Sequence, residues 1–449
     1  MEEKIIFKRK AYKRLLEWKK SSKGSTAILI EGARRVGKST LVREFVSKEY
    51  KSAIIIDFAK AEQDVIDLFN NTSNLNLIFA RLEVFYNIKL YPRESAIVFD
   101  EVQLCPKARQ AIKYLVEDAR FDYIETGSLI SLGRNVKNIL IPSEEDSIKM
   151  FPLDFEEFLW AIDKTLMCNL LMEASKDLTD IGQAMHRQAM ELFRLYMLIG
   201  GMPQAIVKYL TSNNFQEVDT VKRSIIRLYQ NDFKKFDESG RAGRLYNAIP
   251  GQLSKNTSRY MPATVIGSNI DEHKSEEIIA GLEDSMTVNM CYHTMNPANG
   301  LAMDYDKDYF KMFCSDTGLF VTLAFRDKSF TENVIYRKLL TNKLETNLGY
   351  VYENVVSQIL VAKGYELFYY TFLSSSRHIY EVDFLISRGN KILPIEVKSS
   401  GYKAHTSLDA FCDKYQKKII LPTVVYTKPL LRENGYLYLP VYMLPFIDK

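Results

Sequence analysis

The chain of 449 residues has few cysteines and no long apolar run. Its five cysteines are scattered and odd in number, and none shows a CxxC or Cys/His spacing, which argues against a disulfide framework or a zinc site. We therefore expect a reduced, cytoplasmic protein. No stretch approaches the ~18 apolar residues that a membrane-spanning helix requires, so we expect no membrane partner. The charged N-terminus also lacks the apolar core of a signal peptide.

An excess of either charge sign is also missing. The chain has 60 Lys and Arg against 56 Asp and Glu, a formal net charge of +4, and this balance by itself does not indicate a polyanionic partner. The basic residues are nevertheless concentrated in three zones, 1–40, 221–260 and 331–449. The basic residues of the last two zones are compatible with a nucleic-acid partner, and we favour DNA over RNA.

What the sequence does contain is an alternation of short apolar runs and helical patterns, which is typical of an α/β fold with a parallel sheet. Four buried strands are predicted near the N-terminus, at 27–31, 53–58, 96–100 and 122–126. Between about residues 158 and 230 the apolar residues recur at helical spacing. The C-terminal part is again α/β, with helices at 350–362 and from about 407, and strands at 366–372, 381–387 and 391–398.

A glycine-rich motif follows the first predicted strand and precedes a predicted helix at 40–47. It matches G-x-x-x-x-G-K-[ST], in which backbone N–H groups and a helix N-terminus surround phosphates. Lys38 is expected to reach the β- and γ-phosphates, and Ser39 to bind Mg²⁺. We assign cofactor binding to the whole motif: Gly32, Ala33, Arg34, Arg35, Val36, Gly37, Lys38, Ser39 and Thr40.

Two carboxylates, Asp100 and Glu101, end the third predicted strand. Such a strand end lies at the carboxyl edge of the sheet beside the phosphate-binding loop, where Asp100 is expected to join Ser39 in holding Mg²⁺. Glu101 is then placed to act as general base for an attacking water. The next strand ends near Thr126 and Ser128, whose hydroxyls are candidates for orienting that water. This pattern favours nucleotide hydrolysis over nucleotide storage.

A family resemblance rests on several further stretches of the chain. They are GARRVGKST, IVFDEVQ, ETGS, FPLDFEEFL at 151–159, GGMP at 200–203, FKMFCSDTGL at 310–319 and EVDF at 381–384. Over nearly its whole length the chain resembles the prokaryotic AAA+-type P-loop ATPases that carry a C-terminal domain of unassigned function. The resemblance implies ATP and Mg²⁺ as cofactors, Thr126 or Ser128 as the sensor residue, and Gln103 near the γ-phosphate.

The segment 241–330 has the element lengths of a winged helix-turn-helix. A run of basic residues lies in and before it, at Lys222, Arg223, Arg227, Lys234, Lys235, Arg241, Arg244, Lys255 and Arg259. These residues either bind phosphates or form a solvated helical face that packs on the ATPase core. Acidic residues on the second helix of the segment argue against base-specific readout.

A second site is predicted in the C-terminal domain. Asp383 and the triplet Glu396-Val397-Lys398 lie on two predicted neighbouring strands, which brings the two acids together as ligands for a divalent metal, with Glu353 on the preceding helix. The pattern resembles the PD-(D/E)XK nuclease core, in which metal-bound water attacks phosphorus and Lys398 would stabilise charge. The alternative is an inert, partner-binding domain that retains the nuclease fold.

Four parts are therefore expected: an AAA+ P-loop core at 1–160, a helical lid at 161–240, a winged-helix-like segment at 241–330 and a PD-(D/E)XK-like α/β domain at 331–449. The first functional hypothesis is an ATPase whose nucleotide state controls a nuclease-like domain acting on nucleic acid. The alternative is a regulatory or signalling switch whose C-terminal domain recognises a protein partner or a second copy of the chain. A chaperone-like remodeller is a third hypothesis.

Overall fold

The computed structural model describes residues 5–127, 144–255, 257–268, 271–327, 333–341, 349–374 and 378–447. By their contacts the residues form two compact units. The first is Met1–Phe151 with Asp284–Met286, and the second is Pro152–Glu283 with Thr287–Lys449. Within the described ranges, none of the helices combines the length and the apolar character needed to cross a membrane.

The first unit is built on a parallel sheet of five strands in the order β2-β3-β4-β1-β5. Its strands are β1 Ala27–Glu31, β2 Ser52–Asp57, β3 Ser95–Asp100, β4 Asp122–Gly127 and β5 Glu145–Lys149. Its helices are α1 Lys10–Ser22, α2 Lys38–Glu49, α3 Gln63–Asp67, α4 Leu75–Tyr86 and α5 Pro106–Asp118. The α/β class and the four predicted strands are confirmed, each strand to within a residue.

Burial explains why these strands are so apolar. Every residue of β3 and of β4 is buried, as expected for the central strands of a parallel sheet that is covered on both faces. The parallel register aligns Phe99 with Glu125, and Glu31 with Gly127. The carboxyl ends of β1, β3 and β4 therefore meet at one edge of the sheet.

The second unit combines a helical part with a mixed sheet of eight strands in the order β12-β13-β11-β10-β9-β8-β6-β7. Its helices are α6 Phe155–Ala161, α7 Thr165–Lys176, α8 Gln183–Ile199, α9 Pro203–Ser212, α10 Phe215–Phe233, α11 Arg241–Leu253, α12 Ala263–Ile266, α13 Glu272–Asp284, α14 Thr317–Ala324, α15 Asn333–Leu340, α16 Gly349–Ala362 and α17 Thr406–Lys414. Its strands are β6 Val288–Thr294, β7 Tyr305–Cys314, β8 Leu367–Leu373, β9 Ile379–Arg388, β10 Lys391–Lys398, β11 Thr423–Tyr426, β12 Leu431–Glu433 and β13 Tyr436–Pro440.

A hairpin forms in the segment for which the sequence predicts a winged helix. Its two strands, β6 and β7, pair antiparallel, and β6 also pairs in parallel with β8. The hairpin is thus part of the same sheet as the C-terminal strands, so the expected winged-helix-like and nuclease-like segments share one core. The four-part division of the chain, and the winged helix within it, remain predictions.

Two of the stretches that carry the family resemblance pack directly against each other. The N–H of Gly201 donates to Asp316 Oδ2 at 2.6 Å, and a Cβ on Gly318 would lie 2.6 Å from the backbone N of Gly200. Lys222, which is fully buried, donates to the carbonyls of Leu198 at 2.7 Å and Gly318 at 3.1 Å. The GGMP stretch at 200–203 and the SDTG stretch at 315–318 are therefore in close packing contact in the second unit.

Two neighbouring acids, Glu125 and Glu145, lie on strands β4 and β5 of the sheet of the first unit. Glu125, on β4, is fully buried beside Glu145, whose carboxylate pairs with Arg109 at 3.0 Å. Burial raises the pKa of Glu125 well above its usual value, and the nearby Glu145 raises it further. The folded state favours the protonated form of Glu125, whose pKa in the unfolded chain is near 4.5. The stability that Glu125 contributes is therefore complete below pH 4.5 and is lost as the pH rises towards the pKa of the folded state.

We expect Glu125→Gln to stabilise the protein increasingly as pH rises from 5 to 8, because the amide never carries the buried charge. The difference should grow by about 1.4 kcal/mol per pH unit until the folded pKa is passed. Denaturant unfolding at several pH values measures it. Glu117→Gln, at an exposed position on α5, is the control and should leave the pH dependence unchanged. Parallel pH profiles for wild type and Glu125→Gln would contradict the expectation.

Candidate functional site

The glycine-rich loop connects β1 to α2, as the sequence predicts. Arg35 and Gly37 both have positive φ angles, 72° and 102°, an alternation that turns successive N–H groups towards one side and forms a concave anion-binding surface. The first glycine of the motif is required by close approach, since a Cβ on Gly32 would lie 2.3 Å from the carbonyl oxygen of Met150. The loop is therefore shaped by its own backbone and by the residue that follows β5.

Lys38 begins α2 and is buried within the loop. Its ammonium group donates to the carbonyl oxygens of Gly32 at 2.8 Å and Ala33 at 3.1 Å. These bonds hold the side chain folded back over the loop. The lysine therefore lies where the motif expects a phosphate to be bound, which supports the role predicted for it.

Asp100 is the point at which the predicted metal-binding residues meet. Its Oδ1 accepts hydrogen bonds from the hydroxyl of Ser39 at 2.8 Å and from the hydroxyl of Thr126 at 2.6 Å. The hydroxyl and carboxylate oxygens of Ser39 and Asp100 are the ligand type that Mg²⁺ prefers, so the residues present fit this ion. The structure brings together Ser39, Asp100 and Thr126, which belong to three different elements.

Glu101 is the predicted general base and follows directly after β3. It takes the left-handed conformation with φ of 57°, and its N–H donates to the hydroxyl of Thr126 at 3.2 Å. The side-chain amide of Gln103 donates to its carboxylate. Gln103 was expected near the γ-phosphate, and its observed contact is with the base. Thr126 and Gln103 thus fix the backbone and the side chain of Glu101.

Two arginines in this region were missed by the sequence interpretation. Arg43 lies 3.6 Å from Asp100 Oδ2, and the signal was its position four residues after Ser39, on the same face of α2. Arg9 donates to the carbonyls of Val36 at 2.8 Å and Phe151 at 2.7 Å. Arg9 has no motif around it, so only the structure connects it to the loop.

The remaining loop residues are placed unevenly. Ala33 and Val36 are buried and pack the loop, whereas Arg34 and Arg35 are exposed and Thr40 is half-buried. Ser128, the second candidate for the sensor position, lies outside the described residues. The assignment of individual nucleotide-binding roles therefore remains a prediction.

The predicted C-terminal site residues lie on the elements expected of them. Asp383 is on β9, Glu396 and Lys398 are on β10, and these strands are antiparallel neighbours. Asp383 Oδ2 accepts from the N–H of Val397 at 2.7 Å, and Glu396 Oε1 pairs with Lys398 at 2.7 Å. The other oxygen of Glu396, Oε2, is buried without a hydrogen-bond partner.

A further lysine and a further acid, neither predicted from sequence, complete this site. Lys311, on β7, is buried and pairs with Glu381 on β9, and its ammonium group lies 3.8 Å from Glu353 Oε2 on α16. We call the four acids Glu353, Glu381, Asp383 and Glu396 the C-terminal acidic cluster. In the described part of the chain, no three His, Cys, Asp or Glu side chains converge in a geometry that could hold a metal ion.

The charges of the C-terminal acidic cluster shift one another. Burial raises the pKa of Glu353 to about 7 and that of Glu396 to about 8, with Asp383 adding to both. Burial by itself would lower the pKa of Lys311, but Glu381, Glu353 and Asp383 raise it well above its usual value. These acids therefore favour the ammonium form of Lys311.

The basic run at 222–259 is less available than its composition indicates. Lys222 is fully buried, and Arg223 pairs with Asp219 at 2.7 Å. Lys235 pairs with Asp232 at 2.8 Å, and the guanidinium of Arg259 lies 4.6 Å from the ring centre of Tyr309. Because these charges engage the protein itself, the solvated or structural interpretation gains support over phosphate binding.

Comparison with known proteins gives three domain matches. Residues 24–159 match the family described as AAA domain. Residues 190–329 match a domain of unknown function, DUF8612, and residues 348–441 match another, DUF4143. No curated protein matches the chain.

Among solved structures, that of C. elegans PCH-2 is 13% identical, with a TM-score of 0.25. The match covers 46% of this chain and 61% of that one, and a TM-score of this size does not establish a common fold. The domain match and the site geometry agree on the first unit. Residues 24–159 match an AAA domain and carry the glycine-rich loop, and the regions that follow match families of unknown function.

Proposed function

We propose that the chain binds ATP and Mg²⁺ at the loop of residues 32–40 and hydrolyses the nucleotide. The observation that carries this proposal is the convergence on Asp100, where the hydroxyls of Ser39 and Thr126 both donate to Oδ1. The arrangement supports metal binding by Ser39 and Asp100, phosphate binding by the buried Lys38 and a role as base for Glu101, all near one edge of the sheet. The AAA domain match over residues 24–159 supports ATP as the nucleotide.

Nucleotide binding is expected to change only local contacts within the loop. The ammonium group of Lys38 exchanges the carbonyls of Gly32 and Ala33 for phosphate oxygens, which neutralise its charge better than neutral carbonyls do. The N–H groups of the loop and the N-terminus of α2 bind the same phosphates. Mg²⁺, held by Ser39 and Asp100, would stabilise the charge that develops on the transferred phosphoryl group.

Hydrolysis then needs a base that is fixed in place. Glu101 accepts a proton from water as the water oxygen bonds to the γ-phosphorus, while the bond from that phosphorus to the bridging oxygen breaks and ADP leaves. Gln103 holds the carboxylate of Glu101, and Thr126 holds its backbone N–H. Restricting both ends keeps the base in the geometry that proton transfer requires.

Two substitutions separate binding from turnover. Lys38→Ala should abolish nucleotide binding because the buried ammonium group is lost. Glu101→Gln should bind ATP normally but lower kcat by about 10²- to 10⁴-fold, the usual contribution of a general base. Fluorescent-nucleotide titration and phosphate release measure the two effects.

Lys48→Ala, at an exposed position near the end of α2, is the matched control and should retain both properties. Undiminished turnover in Glu101→Gln would show that another group is the base. Wild-type affinity in Lys38→Ala would place the nucleotide elsewhere.

Thr126 has a testable positioning role. In Thr126→Val the hydroxyl is lost, so Asp100 loses one donor and the N–H of Glu101 loses its acceptor, at a cost of about 1–3 kcal/mol for a buried unpaired group. We expect kcat to fall while the Kd for ATP changes little, and Thr126→Ser to restore turnover. A parallel loss in both variants would show that the methyl group, not the hydroxyl, is what the site requires.

For the C-terminal domain we favour the alternative role, a partner-binding domain that does not cleave nucleic acid. What supports it is the pairing of the predicted catalytic groups with one another. Glu353 faces Lys311, and Glu396 is bound to Lys398. A metal-dependent nuclease remains the competing prediction. ATP would then control recognition of a protein partner or of a second copy of the chain.

Incubation with plasmid decides between these two roles. We expect wild type to leave plasmid uncut with Mg²⁺ or Mn²⁺, with or without ATP, within the rate of a Glu396→Ala/Lys398→Ala double variant. Gel analysis over time measures nicking and linearisation. Metal-dependent cleavage by wild type that is lost in the double variant would establish the nuclease and remove the partner-binding proposal.

A further inference from the structure

The contacts of Lys311 go beyond those of an ordinary surface lysine. The side chain is only 5% exposed, and its ammonium group has a carboxylate partner on each of two elements, Glu381 on β9 and Glu353 on α16. The same group lies 5.4 Å from the ring centre of Tyr369 on β8. Contacts from three elements and the surrounding burial keep this lysine from turning away into solvent.

The C-terminal acidic cluster has more carboxyl groups than lysines, which explains why the position of Lys311 matters. The C-terminal acidic cluster contains four carboxyl groups, and Lys398 pairs with only one of them, Glu396. Buried carboxylates need a cation or a hydrogen-bond donor nearby, because burial without one is costly. For Glu353 and Glu381 the directly contacting cation is Lys311, which also interacts with the charge of Asp383, with a smaller contribution from Lys398 to Glu353 and Asp383.

We propose that Lys311 is the resident cation of the C-terminal acidic cluster and takes the place that a divalent metal would need between Glu353, Glu381 and Asp383. With Lys311 in place, the wild-type domain binds no divalent metal at the C-terminal acidic cluster. Replacing this lysine removes the competing charge, and the acids, which do not converge on a metal position as they are placed in the described residues, can then close around a divalent ion. This inference deepens the non-cleaving role proposed for the C-terminal domain and is independent of ATP hydrolysis.

The argument from chemistry has two parts. An ammonium group and a divalent ion repel each other strongly at short range in a buried site, so one excludes the other. When the ammonium group is removed, carboxylate oxygens remain, and these are the ligands that hard divalent cations prefer. Glu396 Oε2, which is buried and has no partner, offers another oxygen beside Asp383.

The test is Mn²⁺ binding by the full-length, nucleotide-free chain, measured by titration calorimetry and by the shift of Tm with Mn²⁺. The variants are Lys311→Met, Lys311→Met/Asp383→Asn and Asp383→Asn. Lys307→Met is the matched control, because Lys307 lies on the same strand but is exposed. Asp383→Asn reports any Mn²⁺ held by the cluster separately from Mn²⁺ held by the nucleotide site.

We expect wild type, Lys307→Met and Asp383→Asn to give the same titration. Lys311→Met should gain one site at least about tenfold tighter, the scale on which groups around metal ligands change affinity, and lose it with Asp383→Asn. The proposal fails if wild type holds Mn²⁺ that Asp383→Asn removes, or if folded Lys311→Met gains none.

If Lys311→Met does not fold, the comparison of wild type with Asp383→Asn decides alone. Identical titrations then support the resident cation, and a site lost in Asp383→Asn overturns it. The plasmid assay tests the non-cleaving role by itself: a wild-type chain that takes no Mn²⁺ at the cluster but cuts plasmid would leave Lys311 as the resident cation and remove only that role.

Discussion

The carboxylate of Asp100 is the group on which the nucleotide site depends. It lies at the end of a fully buried strand, and it accepts hydroxyl hydrogen bonds from Ser39 at the start of α2 and from Thr126 at the end of β4. A buried acid needs such donors, because an unpaired one costs several kcal/mol in practice. The bonds that satisfy Asp100, with the bond from the N–H of Glu101 to Thr126, also fix the positions of the loop, Glu101 and the hydroxyl of Ser39 relative to one another.

The buried carboxylates of the C-terminal acidic cluster are stabilised by a different set of partners. At Asp100, Oδ1 accepts from two neutral hydroxyls, and the guanidinium of Arg43 lies 3.6 Å from Oδ2. In the C-terminal acidic cluster, Glu381 and Glu396 pair directly with the ammonium groups of Lys311 and Lys398, which compete with a metal for the same oxygens, whereas Asp383 accepts from a backbone N–H. Under the two proposals, the sites differ in how closely a cationic side chain is paired with the acids: directly in the C-terminal acidic cluster, and at longer range at Asp100.

Several stretches that identify the chain by resemblance have a structural explanation. Gly200 and Gly318 are in close contact, Asp316 accepts from the N–H of Gly201, and Lys222 bonds to two backbone carbonyls beside them. A side chain at either glycine would clash with the other segment, and loss of the Asp316 carboxylate would leave the N–H of Gly201 without this acceptor. These residues therefore have a packing role within the second unit.

The sequence by itself determined the elements and the phosphate-binding motif, because hydrophobic periodicity and a glycine-rich turn are local signals. The strands around Asp100, the helix after Gly37 and the pairing of β9 with β10 all follow from such patterns. Only the tertiary structure decided that β6 and β7 join the C-terminal sheet, and with them Lys311. Lys311 and Glu381 are 70 residues apart, and no local pattern links a lysine in one segment to acids that a shared sheet brings to it.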